Sequence, residues 1–231
     1  MTHRDPGRVY AVALAVSAAT FAALAAAVLF WEQADRLDVR AVNWVQRTVP
    51  DGLVEVMQVV TYAGSAVVLG PLVILIGALL IWRGLSGATV FVIAAFAGSQ
   101  FASQALKALF QRGRPELEDP LVQLTTYAFP SGHAFGATAT YGALALILAS
   151  VAVTRRTRVV LLVGAGVLIF VIGASRLILG RHYALDVLAG IVGGIALLSA
   201  LLLVLDRGGL RFRLTLFSTG DQQPQRSRLD P

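Results

Sequence analysis

Apolar residues along this chain come in long, nearly uninterrupted runs that are separated by short polar stretches. Six of the runs approach the roughly 20 residues that a helix needs to cross a bilayer. They cover residues 9–31, 53–82, 88–110, 134–153, 159–179 and 185–205. Because backbone groups in hydrocarbon must form their hydrogen bonds within the structure, each run is expected to be helical. The pattern predicts an all-α, polytopic membrane protein with six transmembrane helices in one bundle.

The first and second runs each have a feature that is not typical of a simple straight transmembrane helix. The second run is long and carries Pro71, which predicts a tilt, a kink or a break there. The first run resembles a secretory signal, since small residues near Ala26 look like a cleavage site. It is longer than the roughly 7–15 residues of a signal core, and Trp31 closes it as an interface anchor does. We therefore expect a retained helix.

Between the first two spans, residues 35–49 combine apolar and basic positions at near-helical spacing. The apolar positions are Leu37, Ala41, Trp44, Val45 and Val49, and Arg36, Arg40, Asn43 and Arg47 fall largely on the other side. The pattern predicts a short helix lying in the membrane interface. An ordinary soluble connector fits the same residues nearly as well.

Composition supports a membrane protein with one domain. The chain has 231 residues, of which 57% are hydrophobic and only 14% are charged, whereas soluble domains average about a quarter charged. No polar linker interrupts the middle, so residues 1–216 are expected to form one domain and the polar residues 217–231 a disordered cytoplasmic tail. The chain has no cysteine, which excludes disulfides and thiolate metal sites.

Basic residues in the short loops predict the orientation. With six crossings one side holds Arg4, Arg8, Arg83, Arg155, Arg156, Arg158, Arg207, Arg211 and Arg213. An excess of basic residues marks the cytoplasmic side, so both termini are expected there, in the cell (inner) membrane. The net charge of +6 does not indicate a nucleic-acid partner, because these residues lie in loops rather than along one surface.

Three polar stretches meet at the opposite, extracytoplasmic face: residues 107–115, 130–133 and 175–186. Charge at the end of an apolar span is costly, and such a cluster usually marks a site. Lys107 and Arg114 are seven residues apart and share a face if the third helix extends that far, with Pro115 ending it. Both suit the binding of phosphoryl oxygens. Taken alone, they are more typical of basic residues reaching toward lipid headgroups than of a binding site.

The second stretch opens the fourth span. Ser131 is the expected N-cap, and Gly132 lets a ligand approach the backbone. Exposed N–H groups at a helix start attract anions, and His133 is placed to donate a proton near neutral pH. An ordinary helix cap beside an incidental histidine is the alternative.

In the third stretch, Arg176 ends the fifth span, and His182 and Asp186 open the sixth. Their i, i+4 spacing predicts that the carboxylate orients the imidazole, which then acts as a nucleophile or base. An interhelical ion pair is the structural alternative. A metal site built from the two histidines and Asp186 is permissible, but the neighbouring cations favour an anion instead.

Together the three stretches resemble the type 2 phosphatidic acid phosphatase family, which includes relatives of glucose-6-phosphatase and vanadium haloperoxidases. The family pattern is Lys, six residues, Arg-Pro, then Pro-Ser-Gly-His, then Ser-Arg, five residues, His, three residues and Asp. Residues 107–186 match every element and spacing. Three such motifs in order are highly specific.

The resemblance implies a role for each matched residue. His182 is the expected nucleophile that forms a phosphohistidine, Asp186 orients it, and His133 is the general acid and then the base. The residues expected to bind the phosphoryl group are Lys107, Arg114, Arg176, Ser131 and Gly132. The resemblance implies neither a metal nor another cofactor. Arg112 and Arg181 lie outside the pattern and are not expected to contact phosphate.

These expectations favour a membrane phosphatase that removes the terminal phosphate of a lipid. Phosphatidic acid, phosphatidylglycerol phosphate and polyprenyl pyrophosphate or monophosphate remain open as substrates. A lipid-phosphate binding or transport protein and a phosphotransferase are the alternatives. The acidic loop 116–129 is expected to be a solvated edge. Gly190 and Gly194 fit close helix packing within the chain or in a dimer, so the oligomeric state stays open.

Overall fold

Eight α-helices make up the described part of the chain. The computed structural model describes residues 5–115 and 126–207. The helices are α1 (Pro6–Phe30), α2 (Glu32–Thr48), α3 (Asp51–Tyr62), α4 (Ala66–Trp82), α5 (Ser86–Phe110), α6 (Gly132–Val151), α7 (Arg155–Ile178) and α8 (Ala184–Arg207). Five are long and apolar enough to cross a membrane, and α3 with α4, which pass the same test together across a bend, make a sixth if the pair is counted as one span. The prediction of an all-α membrane bundle is confirmed; the tail 217–231 lies outside the described residues.

Helix α6 lies at the centre of the bundle and packs against α5, α7 and α8. Its buried residues are mostly alanine, glycine and threonine. Small side chains let helix backbones approach closely, which is how helices associate where no water drives them together. The outer helix α1 packs on α8, and α4 packs on α5. This arrangement fixes the first turn of α6 among three neighbours.

The closest approach between α8 and α6 occurs at two glycines. A Cβ atom added at Gly190 would lie 2.6 Å from the carbonyl oxygen of Ser131, and one at Gly194 would lie 2.5 Å from Thr138 Cβ. The glycine pair therefore serves packing within the chain, which was one of the two predicted uses. It also places α8 directly against the first turn of α6.

We expect Gly190→Ala to destabilise the protein. The new methyl group has no room beside the Ser131 carbonyl, and overpacking of this kind costs roughly 1–3 kcal/mol of unfolding free energy. Gly164→Ala in α7 is the matched control, because a Cβ there meets nothing within 4 Å. Thermal unfolding in detergent should give a lower Tm for Gly190→Ala than for Gly164→Ala, and equal values would contradict the packing described.

The second span breaks at residues 63–65, so the prediction that placed the irregularity at Pro71 is wrong. Helices α3 and α4 are bent by 41°, and Pro71 lies inside α4. A Cβ added at Gly64 would lie 2.5 Å from Ile172 Cγ2. The Tyr141 hydroxyl donates a hydrogen bond of 2.8 Å to the Ala63 carbonyl. Packing against α7 and a side-chain donor from α6 thus stabilise the break.

Helix α2 follows α1 almost directly and confirms the helix predicted within residues 35–49. It packs against α7 and α8, with Ala34, Asp38, Val42 and Val45 buried. The side chain of Gln46 donates to the Ile178 carbonyl at 2.5 Å. Leu37 and Trp44 face outward, because α2 lies against the bundle through its smaller residues. Their exposure favours contact with lipid, although the interfacial position stays a prediction.

Candidate active site

The three polar stretches converge at one end of the bundle. The end of α5, the start of α6 and the turn between α7 and α8 lie together there. Lys107 in the last turn of α5 is buried, and a Cβ added at Gly132 would lie 3.8 Å from its Nζ atom. At the other end, the start of α1 meets the end of α8, where a Cβ on Gly7 would lie 3.0 Å from Asp206. The predicted convergence is therefore observed.

His182 and Asp186 are neighbours, although they do not share a helical face. Helix α8 begins at Ala184, so His182 belongs to the preceding turn, and the prediction that placed both on one helix is wrong. The backbone N–H of Tyr183 donates to Asp186 Oδ2 at 2.9 Å. Nδ1 of His182 lies 3.5 Å from the same oxygen. That distance is long for a hydrogen bond, and such contacts tighten when substrate binds.

Arg114 reaches the same place from a loop. Helix α5 ends at Phe110 with Gln111 in a left-handed conformation (φ 48°), so Pro115 does not end it and Lys107 and Arg114 share no helix face. Two backbone carbonyls fix the guanidinium, those of Thr126 and Arg181, each at 2.6 Å. Its Nη1 atom lies 3.4 Å from His182 Nε2. Arg114 therefore lies against the Nε2 side of the imidazole.

Four buried side-chain atoms have no hydrogen-bond partner among residues 5–115 and 126–207: Ser131 Oγ, Thr140 Oγ1, Arg176 Nε and His182 Nδ1. Arg176 and Ser131 belong to the predicted phosphate-binding set. Arg176 donates from Nη1 to Thr61 Oγ1 at 2.7 Å, while its Nε has no acceptor there. Ser131 is the N-cap residue of α6, as predicted, although its side chain makes no capping hydrogen bond. Its buried hydroxyl is likewise unpaired within those ranges. Buried polar groups normally find partners, and a bound ligand would supply them.

Three cations, Lys107, Arg114 and Arg176, act electrostatically on both imidazoles. Burial lowers the pKa of His182 well below its usual value, and the charges of Arg176, Arg114 and Lys107 lower it further. The same three cations act electrostatically on His133, as does His182 itself. His182 is 1% exposed, and both its burial and the neighbouring cations favour the neutral form of the imidazole. We call Lys107, Arg114 and Arg176 the cationic cluster below.

Arg112 is a site residue that the sequence did not reveal. Its Nη1 donates to Asp186 Oδ1 at 2.6 Å, and its Nη2 donates to Asp35 at 2.7 Å and to Asp38 at 3.0 Å. Arg112 is not part of the matched motifs, and the sequence predicted no contact between Arg112 and phosphate. The presence of Asp35 and Asp38 three residues apart in a mostly apolar chain was the available signal. Nothing in their spacing names the partner.

The Arg181 backbone carbonyl supports Arg114, while the acidic residues 116–119 lie outside the described residues. Within the described ranges, no three histidine, aspartate or glutamate side chains are grouped as metal ligands. The set of two histidines and Asp186 that sequence analysis weighed for a metal is not assembled as one.

Comparison with known proteins gives a consistent result. The profile of the PAP2 superfamily matches residues 88–208, which include all three polar stretches. Phosphatidylglycerophosphatase B of Bacillus subtilis (strain 168) is 32% identical over 145 residues, which are 62% of this chain and 70% of that protein.

Solved structures show the same similarity. The crystal structure of a transmembrane PAP2-type phosphatidylglycerolphosphate phosphatase from Bacillus subtilis superposes with a TM-score of 0.78 at 28% identity. The superposition covers 87% of this chain and 98% of that one. LpxE of Aquifex aeolicus gives a TM-score of 0.55 at 26% identity, covering 72% of this chain and 94% of that one.

Proposed function

The chain belongs to the PAP2 superfamily of phosphatases, and we propose that it hydrolyses the terminal phosphate of a membrane lipid through a phosphohistidine intermediate. The orientation of His182 carries the proposal. Its Nδ1 lies toward Asp186 and its Nε2 toward Arg114. A neutral imidazole held in this way presents its lone pair at Nε2, where the cationic cluster would hold a phosphoryl group.

In the first step, Nε2 of His182 attacks the phosphorus atom as the bond to the lipid oxygen breaks. His133 donates a proton to that leaving oxygen. Asp186 stabilises the positive charge that develops on the imidazole of His182. The cationic cluster neutralises the charge on the three equatorial oxygens, which is the main requirement of phosphoryl transfer. The unpaired Ser131 hydroxyl and the backbone at Gly132 add donors.

In the second step, water attacks the phosphohistidine. His133, now deprotonated, takes a proton from the water as the P–N bond breaks. Inorganic phosphate leaves and His182 returns to its neutral form. Apart from the attacking water, both steps use protein groups.

The relatives suggest which lipid to test first. The curated relative and the solved structure from Bacillus subtilis both carry names that state activity on phosphatidylglycerol phosphate, so we propose that lipid as the first candidate. Phosphatidic acid and polyprenyl pyrophosphate are the next. Because the site lies at helix ends, a lipid tail can enter from the side between helices while its headgroup reaches the cationic cluster.

We also propose that the site faces the extracytoplasmic side of the inner membrane, with both termini in the cytoplasm. The opposite end of the bundle carries the basic loop residues, including Arg83, Arg155 and Arg207. Such residues are retained on the cytoplasmic side.

Release of inorganic phosphate from a panel of these lipids tests the proposal. We expect the purified protein to release phosphate equally well with and without a chelator, with phosphatidylglycerol phosphate the best substrate. Loss of activity with chelator would contradict the mechanism. Hydrolysis in ¹⁸O-water should place one labelled oxygen in the phosphate, whereas transfer to another acceptor would not. Lipid binding with no turnover on any lipid would indicate a carrier instead.

A further inference from the structure

We propose that Arg112 is a positioning residue for Asp186, and that α2 holds Arg112 in place through Asp38. The inference rests on the proposed role of His182 as nucleophile. It extends the site beyond the three sequence motifs, because neither Arg112 nor any residue of α2 belongs to them.

The carboxylate of Asp186 is held by two donors from different directions. Arg112 Nη1 donates to Oδ1 at 2.6 Å, and the backbone N–H of Tyr183 donates to Oδ2 at 2.9 Å. Oδ2 is also the oxygen that lies 3.5 Å from His182 Nδ1. Rotation of the carboxylate would break the bond to Arg112. The two donors therefore fix the orientation of the carboxylate relative to the imidazole.

The burial and the charges of Asp186 and Arg112 also favour a positioning role for Arg112. The side chain of Asp186 is fully buried, and that of Arg112 is 8% exposed. A buried carboxylate remains ionised only beside an opposite charge or strong hydrogen bonds. Although burial opposes its charge, the three neighbouring carboxylates raise the pKa of Arg112 above its usual value. Arg112 is thus a permanent cation beside Asp186.

Arg112 has little capacity left for substrate. Both of its terminal nitrogens already bond to carboxylates, those of Asp186, Asp35 and Asp38. Its guanidinium carbon also lies 4.4 Å from the centroid of the Tyr183 ring. By contrast, Arg176 keeps a nitrogen without a partner within the described residues. The contacts of Arg112 therefore favour support of Asp186 over phosphate binding.

Asp38 connects this support to α2. One of its oxygens accepts from Arg112 at 3.0 Å, and the other accepts from the backbone N–H of Leu185 at 3.2 Å. Leu185 precedes Asp186 in the first turn of α8. The Asp38 carboxylate, which is 4% exposed, thus connects α2 to Arg112, which bonds to Asp186, and to Leu185, which precedes Asp186 in the chain. Helix α2 is therefore part of the active-site scaffold.

The test compares Arg112→Met, Arg112→Lys and Asp38→Asn with wild type, measuring kcat, KM, Tm and the pH dependence of kcat. Arg112→Met should lower kcat by roughly 10–100-fold through misplacement of the reacting groups, with KM little changed. The acid limb of its kcat–pH profile should lie at a higher pH than that of wild type. The ratio of the variant's kcat to the wild-type kcat should therefore fall as the pH is lowered. Without the cation, Asp186 takes up a proton more readily.

The other two variants separate charge from position. Arg112→Lys keeps the charge, so its acid limb should stay at the wild-type pH while kcat recovers in part. Asp38→Asn keeps an acceptor for the Leu185 N–H but loosens Arg112, and kcat should fall by roughly three- to tenfold. Glu32→Gln and Arg36→Met are the controls on α2, because their side chains are 85% and 65% exposed. They should match wild type.

Three results would overturn the inference. The first is a kcat–pH profile of Arg112→Met that is not shifted from that of wild type. The second is a rise in KM at constant kcat in any of the variants. The third is a wild-type kcat in both Arg112→Lys and Asp38→Asn. If Arg112→Met does not fold, the other two variants decide. An active His182→Ala enzyme would instead overturn the proposed function, and the role of Arg112 with it.

Discussion

Replacing His182 with alanine is expected to lower phosphate release from the best lipid substrate by at least about 10⁴-fold, as loss of a nucleophile does in other hydrolases. No other described group takes its place: Asp186 is bound by Arg112 and Tyr183. Binding should persist, because the cationic cluster is intact. Phosphate release and retention of labelled lipid in micelles measure the two effects.

His3→Ala is the matched control, since His3 is the remaining histidine of the chain, and it should retain wild-type activity. Rapid quenching of wild type with ³²P-labelled substrate should trap label on the protein that acid releases and alkali retains, as expected for a P–N bond. His182→Ala should trap none. Activity above a tenth of wild type in this variant would exclude the proposed nucleophile.

The second large effect is expected for His133→Asn, and it should depend on the leaving group. A general acid contributes about 10²–10⁴-fold, so phosphate release from a lipid should fall by that range. The loss should be much smaller with 4-nitrophenyl phosphate, whose leaving oxygen needs little protonation. Steady-state rates on both substrates give the comparison. Equal losses on the two would show that His133 does not protonate the leaving group, while His182→Ala should lose both activities alike.

The sequence predicted the transmembrane spans well because long apolar runs dominate their formation. The predicted third run, 88–110, differs from α5 only at its first residues. The position of the break in the second span was not predictable in the same way. It depends on the contact of Gly64 with Ile172 and on the hydrogen bond from Tyr141 to Ala63. Such contacts join residues that are far apart in the sequence. A proline, by contrast, predicts a kink from its own position alone.

At the site, the motifs predicted which residue types come together, and the structure shows why their placement differs. Arg114 and His182 both lie in turns, because α5 ends at Phe110 and α8 begins at Ala184. Helix ends are set by local capping that apolar periodicity does not report. Arg112 was missed because its partners Asp38 and Asp186 each lie 74 residues away. A spacing pattern within one motif carries no information about such pairs.

The unequal burial of the spans has a consequence for how related sequences diverge. In its most apolar window α6 is 61% buried, whereas α1 and α7 are each 11% buried. Exchange among leucine, valine and isoleucine should therefore accumulate freely on α1 and α7, where acyl chains accept any shape. Along α6, even positions far from the histidines should keep alanine, glycine or threonine, so homologues should be most alike in the helix that lipid touches least.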